Sequence, residues 1–93
     1  MSERYKDPVM QEVIRRTIRA AMVEENIGYR ELSDRLAKAG VQQKESTLRT
    51  KISTGIMTSS LFLHLLHATK VRTLDMAALM MKYQNLSDEI MDD

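Results

Sequence analysis

Apolar residues recur at steps of three and four along almost the whole chain. Val9, Val13, Ile14, Ile18, Ala21 and Met22 form one stripe and predict a first helix over Pro8–Glu25. Asp7 is placed to cap it, and Pro8 suits the first turn, where its missing N–H has no partner to lose. Arg15, Arg16 and Arg19 lie off the stripe. They are expected to be solvated or locally paired rather than committed to a ligand.

The second helix opens at "IGYRELSDRLAKAG". Gly28 serves as its cap and as a possible end for the helix before it. Glu31 is spaced to reach back to the Gly28 N–H, and Ile27 and Leu32 have the spacing of a hydrophobic staple. Leu32, Leu36 and Ala39 are expected inside, with Arg30, Asp34, Arg35 and Lys38 outside. Gly40 supplies a left-handed stop, after which Val41 returns to the core.

Lys44 to Thr54 reads as a third helix, anchored only by Leu48 and Ile52. At about 100° per residue, Ser46, Thr47, Thr50, Ser53 and Thr54 fall opposite those anchors. Gly55 ends the helix. Thr58 or Ser59 caps a fourth helix whose apolar residues are Leu61, Phe62, Leu65, Leu66 and Ala68. A fifth follows Thr73 with Leu74, Ala77, Ala78, Met80 and Met81, and Tyr83, Leu86 and Ile90 carry the apolar pattern into a C-terminal helical extension. No run beyond a few residues reads as a strand, and no internal repeat is present. The fold class expected is all-α, with a domain over 1–85 and a short acidic tail over 86–93.

Five helices in this order, with a glycine after the third, resemble the phage-repressor or Xre-like helix-turn-helix domains. "GYRELSDRL" is similar to their second helix, with Leu32-Ser33 where a Leu-Ala pair is typical, and "STLRTKISTG" is similar to their recognition helix. A nearer resemblance is to a group of small bacterial domains of unknown function with the pattern "YAELAERL", "GV", "NLRNKISRGKF" and "GVRTL". The matching pieces here are "YRELSDRL" from Tyr29, Gly40-Val41, "TLRTKISTGIM" from Thr47 and "KVRTL" from Lys70. Together they span about Ile18 to Leu74. Thr54 and Ile56 replace the basic residues beside the family glycine, and Thr50 replaces an asparagine. The connection "AKAGVQQKES" is longer than the tight turn of the phage repressors. The resemblance implies a five-helix fold, and by analogy a DNA-binding function.

Composition narrows the function classes. Three glycines and one proline leave little room for a β-sandwich, and the absence of cysteine excludes disulfides and thiolate chemistry. The polar start "MSERYKDP" has no signal core, and "SLFLHLLHA" is too short to span a bilayer. A cytoplasmic location without membrane contact is therefore expected. Net charge is +1, but the last six residues hold four of the thirteen acids; without them fourteen cations face nine acids, a balance of +5. The chain shows no glycine-rich phosphate loop, catalytic triad or paired carboxylates at a motif spacing, so no enzyme and no cofactor is expected. His64 and His67 stand three apart, without the further ligands a metal site needs.

A helix reading DNA needs cations and N–H groups for phosphate and polar side chains for base edges. The candidates are Tyr29, Gln43, Lys44, Thr47, Arg49, Thr50 and Lys51. Gln43 could pair with adenine, Arg49 or Lys51 could reach guanine or phosphate, and Thr47 and Thr50 could contact bases. The helix starts near Tyr29 and Glu45 offer N–H groups to phosphate. Leu79, Tyr83, Leu86 and Ile90 form a row for a dimer contact, in a Met-rich segment that could equally close the domain's own core. The leading expectation is a small helix-turn-helix DNA-binding protein, a transcriptional regulator acting as a homodimer on double-stranded DNA. The alternative is a protein–protein interaction module on the same fold. The +5 body favours the first, and Thr54 and Ile56 favour the second.

Overall fold

The apolar stripes become helices whose ends are set by local hydrogen bonding. The computed structural model describes the backbone of residues 7–91 and the side chains of residues 7–89. Its helices are α1 (Pro8–Glu25), α2 (Tyr29–Lys38), α3 (Glu45–Thr54), α4 (Ser59–Ala68) and α5 (Met76–Met91), with no strand among the described residues. The all-α class is as expected. Asp7 accepts from the Met10 N–H at 3.0 Å, and Thr58 accepts from the Leu61 N–H at 3.1 Å. Asp75 does the same for Ala78 at 3.1 Å, so α5 starts one residue after a capping carboxylate.

Three helices stop in the same way. Asn26, Gly40 and Lys70 each take a left-handed backbone, at φ 57°, 85° and 63°. The next residues are Ile27, Val41 and Val71. Their N–H groups donate to Met22, Leu36 and Leu66 carbonyls at 3.1, 2.9 and 2.9 Å. This closure satisfies carbonyls of the last turn and sends an apolar residue back to the core. All three pack against the core while partly buried. Gly40 and Asn26 advertise the turn by residue type, since glycine and asparagine favour the left-handed region. Lys70 adopts it with a Cβ, at a backbone cost of roughly 1–2 kcal/mol.

The main core is one cluster. Ile18 and Met22 of α1 meet Leu32 and Leu36 of α2, Leu48 and Ile52 of α3, and Leu61, Leu65 and Leu66 of α4. Gly55 ends α3 at φ 70° and lies directly against α1: a Cβ placed there would overlap the Gln11 carbonyl oxygen and sit 2.8 Å from its carbon. The glycine is therefore both a stop and a point of close approach between two backbones. Expected inside, Ala39 is instead exposed, because α2 ends at Lys38 and the chain turns there.

Arg35, expected to face outward, instead ties three helices together. Its guanidinium donates to Glu25 at the end of α1 at 2.9 Å, to Glu31 at 3.3 Å and to the Ala68 carbonyl of α4 at 2.9 Å. The Arg35 hydrogen bond holds the Glu25 carboxyl below the usual carboxylate range, with Lys70 adding to the effect. Glu31 is thereby committed to Arg35, and the reach back to Gly28 expected of it is not made; α2 has no side-chain cap.

Among the helices, α5 packs against α1 alone. It continues to Met91 without a break at residue 85, so the boundary expected there marks no change of secondary structure. Leu86, expected at a dimer surface, is 7% exposed and buried within the chain. Tyr83 is half-buried, and half-buried Leu79 lines an apolar groove with Met10, Val13 and Ile14 of α1. Of the row proposed for a second copy, Leu86 is thus buried in the chain's own fold and Leu79 sits beside α1, which carries a second apolar stripe next to the one that faces the core. Ile90 lies outside the described side chains. Among the described side chains, α5 exposes the large apolar residues Met76, Met80 and Met81. No helix among the described residues is long and apolar enough to cross a membrane.

Candidate nucleic-acid interface

The candidate side chains gather where α2 and α3 begin. Leu48 and Ile52 are fully buried, and this fixes the opposite side of α3 toward solvent. Ser46, Arg49, Thr50, Ser53 and Thr54 are exposed there, while Thr47 is half-buried. The Arg49 guanidinium lies over the Tyr29 ring, 4.9 Å from its centroid, and also bonds Glu45 at 3.1 Å. That stack joins the first residue of α2 to the middle of α3. Thr50 spends its hydroxyl on the Ser46 carbonyl at 3.3 Å.

Gln43 and Lys51 meet at the other edge, where the Lys51 ammonium donates to the Gln43 amide oxygen at 3.4 Å. Both are half-buried. Ser33 donates to the Gln43 carbonyl at 2.6 Å. This serine, where the resembling domains carry alanine, pins the longer α2–α3 connection onto α2. Its role was invisible in the sequence, since the two residues are ten positions apart and in different elements. Lys44 is exposed and enters no ion pair among the described residues.

The helix starts differ from the rest of the fold. Three of the five helices open on a carboxylate or hydroxyl cap, from Asp7, Thr58 and Asp75. The N-caps of α2 and α3 are Gly28 and Lys44, with no side-chain cap bond. Their first-turn N–H groups therefore remain for solvent or an acceptor. The acids of these first turns, Glu31 and Glu45, are drawn along their own helices to Arg35 and Arg49. Beside Gly55, Thr54 turns its hydroxyl back to the Thr50 carbonyl at 2.9 Å, and Ile56 is 59% exposed. The exit of α3 is thus uncharged and partly apolar.

The α1 arginines are locally paired, as expected for two of them. Arg15 and Arg16 both bond Glu12, at 2.6 and 2.7 Å. Hydrogen bonds from Arg15 and then Arg16 lower the Glu12 pKa to about 2. Arg15 is raised, chiefly by Glu12, and Tyr29 adds a smaller electrostatic contribution. The Arg19 Nε is buried without a hydrogen-bond partner.

A depressed carboxylate stabilises the fold above its unfolded pKa, and that contribution is lost as pH falls through the folded value. Wild type should lose stability between about pH 5 and pH 2, and Glu12→Gln should lose less over the same window. Thermal melts of the two proteins across that range measure the difference. Salt should shrink it, because the pairs are partly exposed.

Among the described residues no group of three or more His, Cys, Asp or Glu side chains is placed to hold a metal ion. No curated protein and no solved structure matches the chain. Residues 10–74 match the model of a protein family, and that span runs from the first turn of α1 to the connection before α5. The chain belongs to that family, the domain of unknown function DUF6471.

Proposed function

We propose that this chain is a small, non-enzymatic DNA-binding protein of helix-turn-helix type, acting as a transcriptional regulator. The observation that carries the reading is the pair of uncapped helix starts flanking the Arg49–Tyr29 stack. Two sets of open N–H groups, Lys44 and Arg49 together suit a phosphate backbone. The exposed residues Ser46, Thr50 and Ser53 lie along the same helix for groove contacts, the Thr50 and Ser53 hydroxyls as acceptors because both donate within α3. Arg49 would exchange Glu45 for phosphate on binding, so its present partners hold it in place at little cost.

The test is fluorescence anisotropy with a broad pool of duplex DNA at several salt concentrations. Arg49→Ala should weaken binding by about tenfold at low salt and reduce the slope of log affinity against log salt by roughly one. Lys51→Ala should act in the same direction, and neither should change helicity. Unchanged binding by both variants would remove α3 from the interface.

The second reading, a protein-interaction module, is favoured by a different observation. Met76, Met80 and Met81 of α5 and Leu63 of α4 are exposed apolar side chains, and methionine suits adaptable contacts. The same α5 side chains are the place for the homodimer contact that a DNA-binding reading calls for. Wild type that binds no DNA at low salt would leave the interaction module standing.

A further inference from the structure

A separate cationic cleft lies at the C-terminal ends of α2 and α4. Arg35 and Lys38 come from α2, His64 and His67 from α4, and Lys70 from the turn that follows. The cleft is open to solvent and has a volume of about 490 Å3. A second hollow of about 380 Å3 shares His67 and Lys70 with it and adds Arg72. The two form one surface on which every ionisable side chain is a cation or an imidazole.

Helix C-termini ordinarily repel anions through their unpaired carbonyls. Here those of α4 are occupied. Leu65 O accepts from the Thr69 N–H and hydroxyl, and Leu66 O from the Val71 N–H and the same hydroxyl. His67 O accepts from the Lys70 N–H at 3.0 Å, and Ala68 O from Arg35 at 2.9 Å. The last carbonyls of α4 are thus paired within the protein rather than open toward the cleft. Arg35 is held by Glu25, Glu31 and Ala68 and forms a fixed wall. Lys70 keeps only a 3.7 Å contact with Glu25 and is largely exposed. Lys38 and Arg72 are exposed and enter no ion pair among the described residues.

We propose that this cleft binds a small polyphosphate, a ligand with at least two adjacent phosphate groups such as a nucleoside diphosphate. The hollows are continuous through His67 and Lys70, so linked phosphates can meet more of these cations at once than a single phosphate can. Linked phosphates can span them, with Lys38 and His64 at one end, Arg72 at the other, and His67 and Lys70 between. The adjacent imidazoles supply N–H donors, and each cation bonds phosphate oxygens more strongly than a neutral donor would.

Inorganic pyrophosphate titrated into the full chain tests this, with the His64 and His67 ring signals followed by NMR. Both signals should shift and saturate, and orthophosphate should bind at least about tenfold more weakly. Lys38→Gln combined with Arg72→Gln should cost pyrophosphate at least about tenfold in affinity at an unchanged melting temperature. If the double variant melts lower, the single variants carry the comparison. Absent histidine shifts, equal affinity for both anions, or unaltered binding by the variants would overturn the proposal. So would duplex DNA that displaces pyrophosphate and itself binds the double variant less tightly, because the cleft would then belong to a nucleic-acid surface.

Discussion

Gly55→Ala should lower the free energy of unfolding by about 2–5 kcal/mol, from left-handed strain plus overpacking. The backbone there sits at φ 70°, and a methyl group would be driven into the Gln11 carbonyl. Backbone atoms, unlike the tip of a flexible side chain, cannot step aside cheaply. To accept the methyl, α1 and α3 must separate, loosening Ile18 and Met22 from Leu48 and Ile52. A domain of this size has only roughly 0.05–0.15 kcal/mol per residue in hand. The variant should therefore be partly unfolded under mild heating.

The other glycines make the test internal. Gly40 shares the positive φ, at 85°, but a Cβ there meets nothing within 4 Å, so Gly40→Ala should show strain alone, about 1–2 kcal/mol. Gly28, in extended backbone with the same open surroundings, should cost about 1 kcal/mol or less as alanine. Urea titrations at 25 °C followed by circular dichroism should rank the variants 28, 40, 55 in rising damage. Equal losses at 40 and 55 would show that the α1–α3 contact yields.

Leu86→Asp should release α5 from α1 while leaving the four-helix core folded. Burying a leucine is worth about 1.5–3 kcal/mol, and an unpaired carboxylate in its place adds a desolvation penalty. The loss falls on a helix that packs against one other helix only. The main cluster draws its residues from α1 to α4 and includes none from α5. Hydrogen exchange should therefore speed up along Met76–Met91, with protection retained around Leu36, Leu48 and Leu65. Uniform loss of protection across all five helices would show that α5 is integral to the core. Because Leu86 is buried, this substitution cannot report on a dimer. Met76→Lys with Met81→Lys tests the proposed dimer, since both side chains are exposed: sedimentation at micromolar concentrations should show a dimer for wild type and a folded monomer for the variant.

Local signals in the sequence determined the helices. Pro8 after Asp7, the three-four stripes and the polar run from Lys44 to Thr54 each act within one or two turns, so α1 and α3 were legible almost to the residue. The buried pairs Leu32 with Leu36 and Leu48 with Ile52 followed from spacing alone. The candidate interface was legible as a list of side chains, because a polar helix face follows from the same periodicity. Its geometry was not. That Arg49 stacks on Tyr29 and Ser33 holds Gln43 depends on how α2 crosses α3. Periodicity likewise shows that a face is apolar but not which neighbour covers it. Leu86 could look like a dimer anchor until it proved to be buried within the chain's own fold. Arg35 looked like a solvent-facing residue until the ends of α1 and α4 arrived beside it. Gly55 looked like a helix stop until Gln11, forty-four positions earlier in the chain, was found pressed against its α-carbon. Contacts between residues so far apart arise only when whole helices pack, and tertiary structure alone decides them.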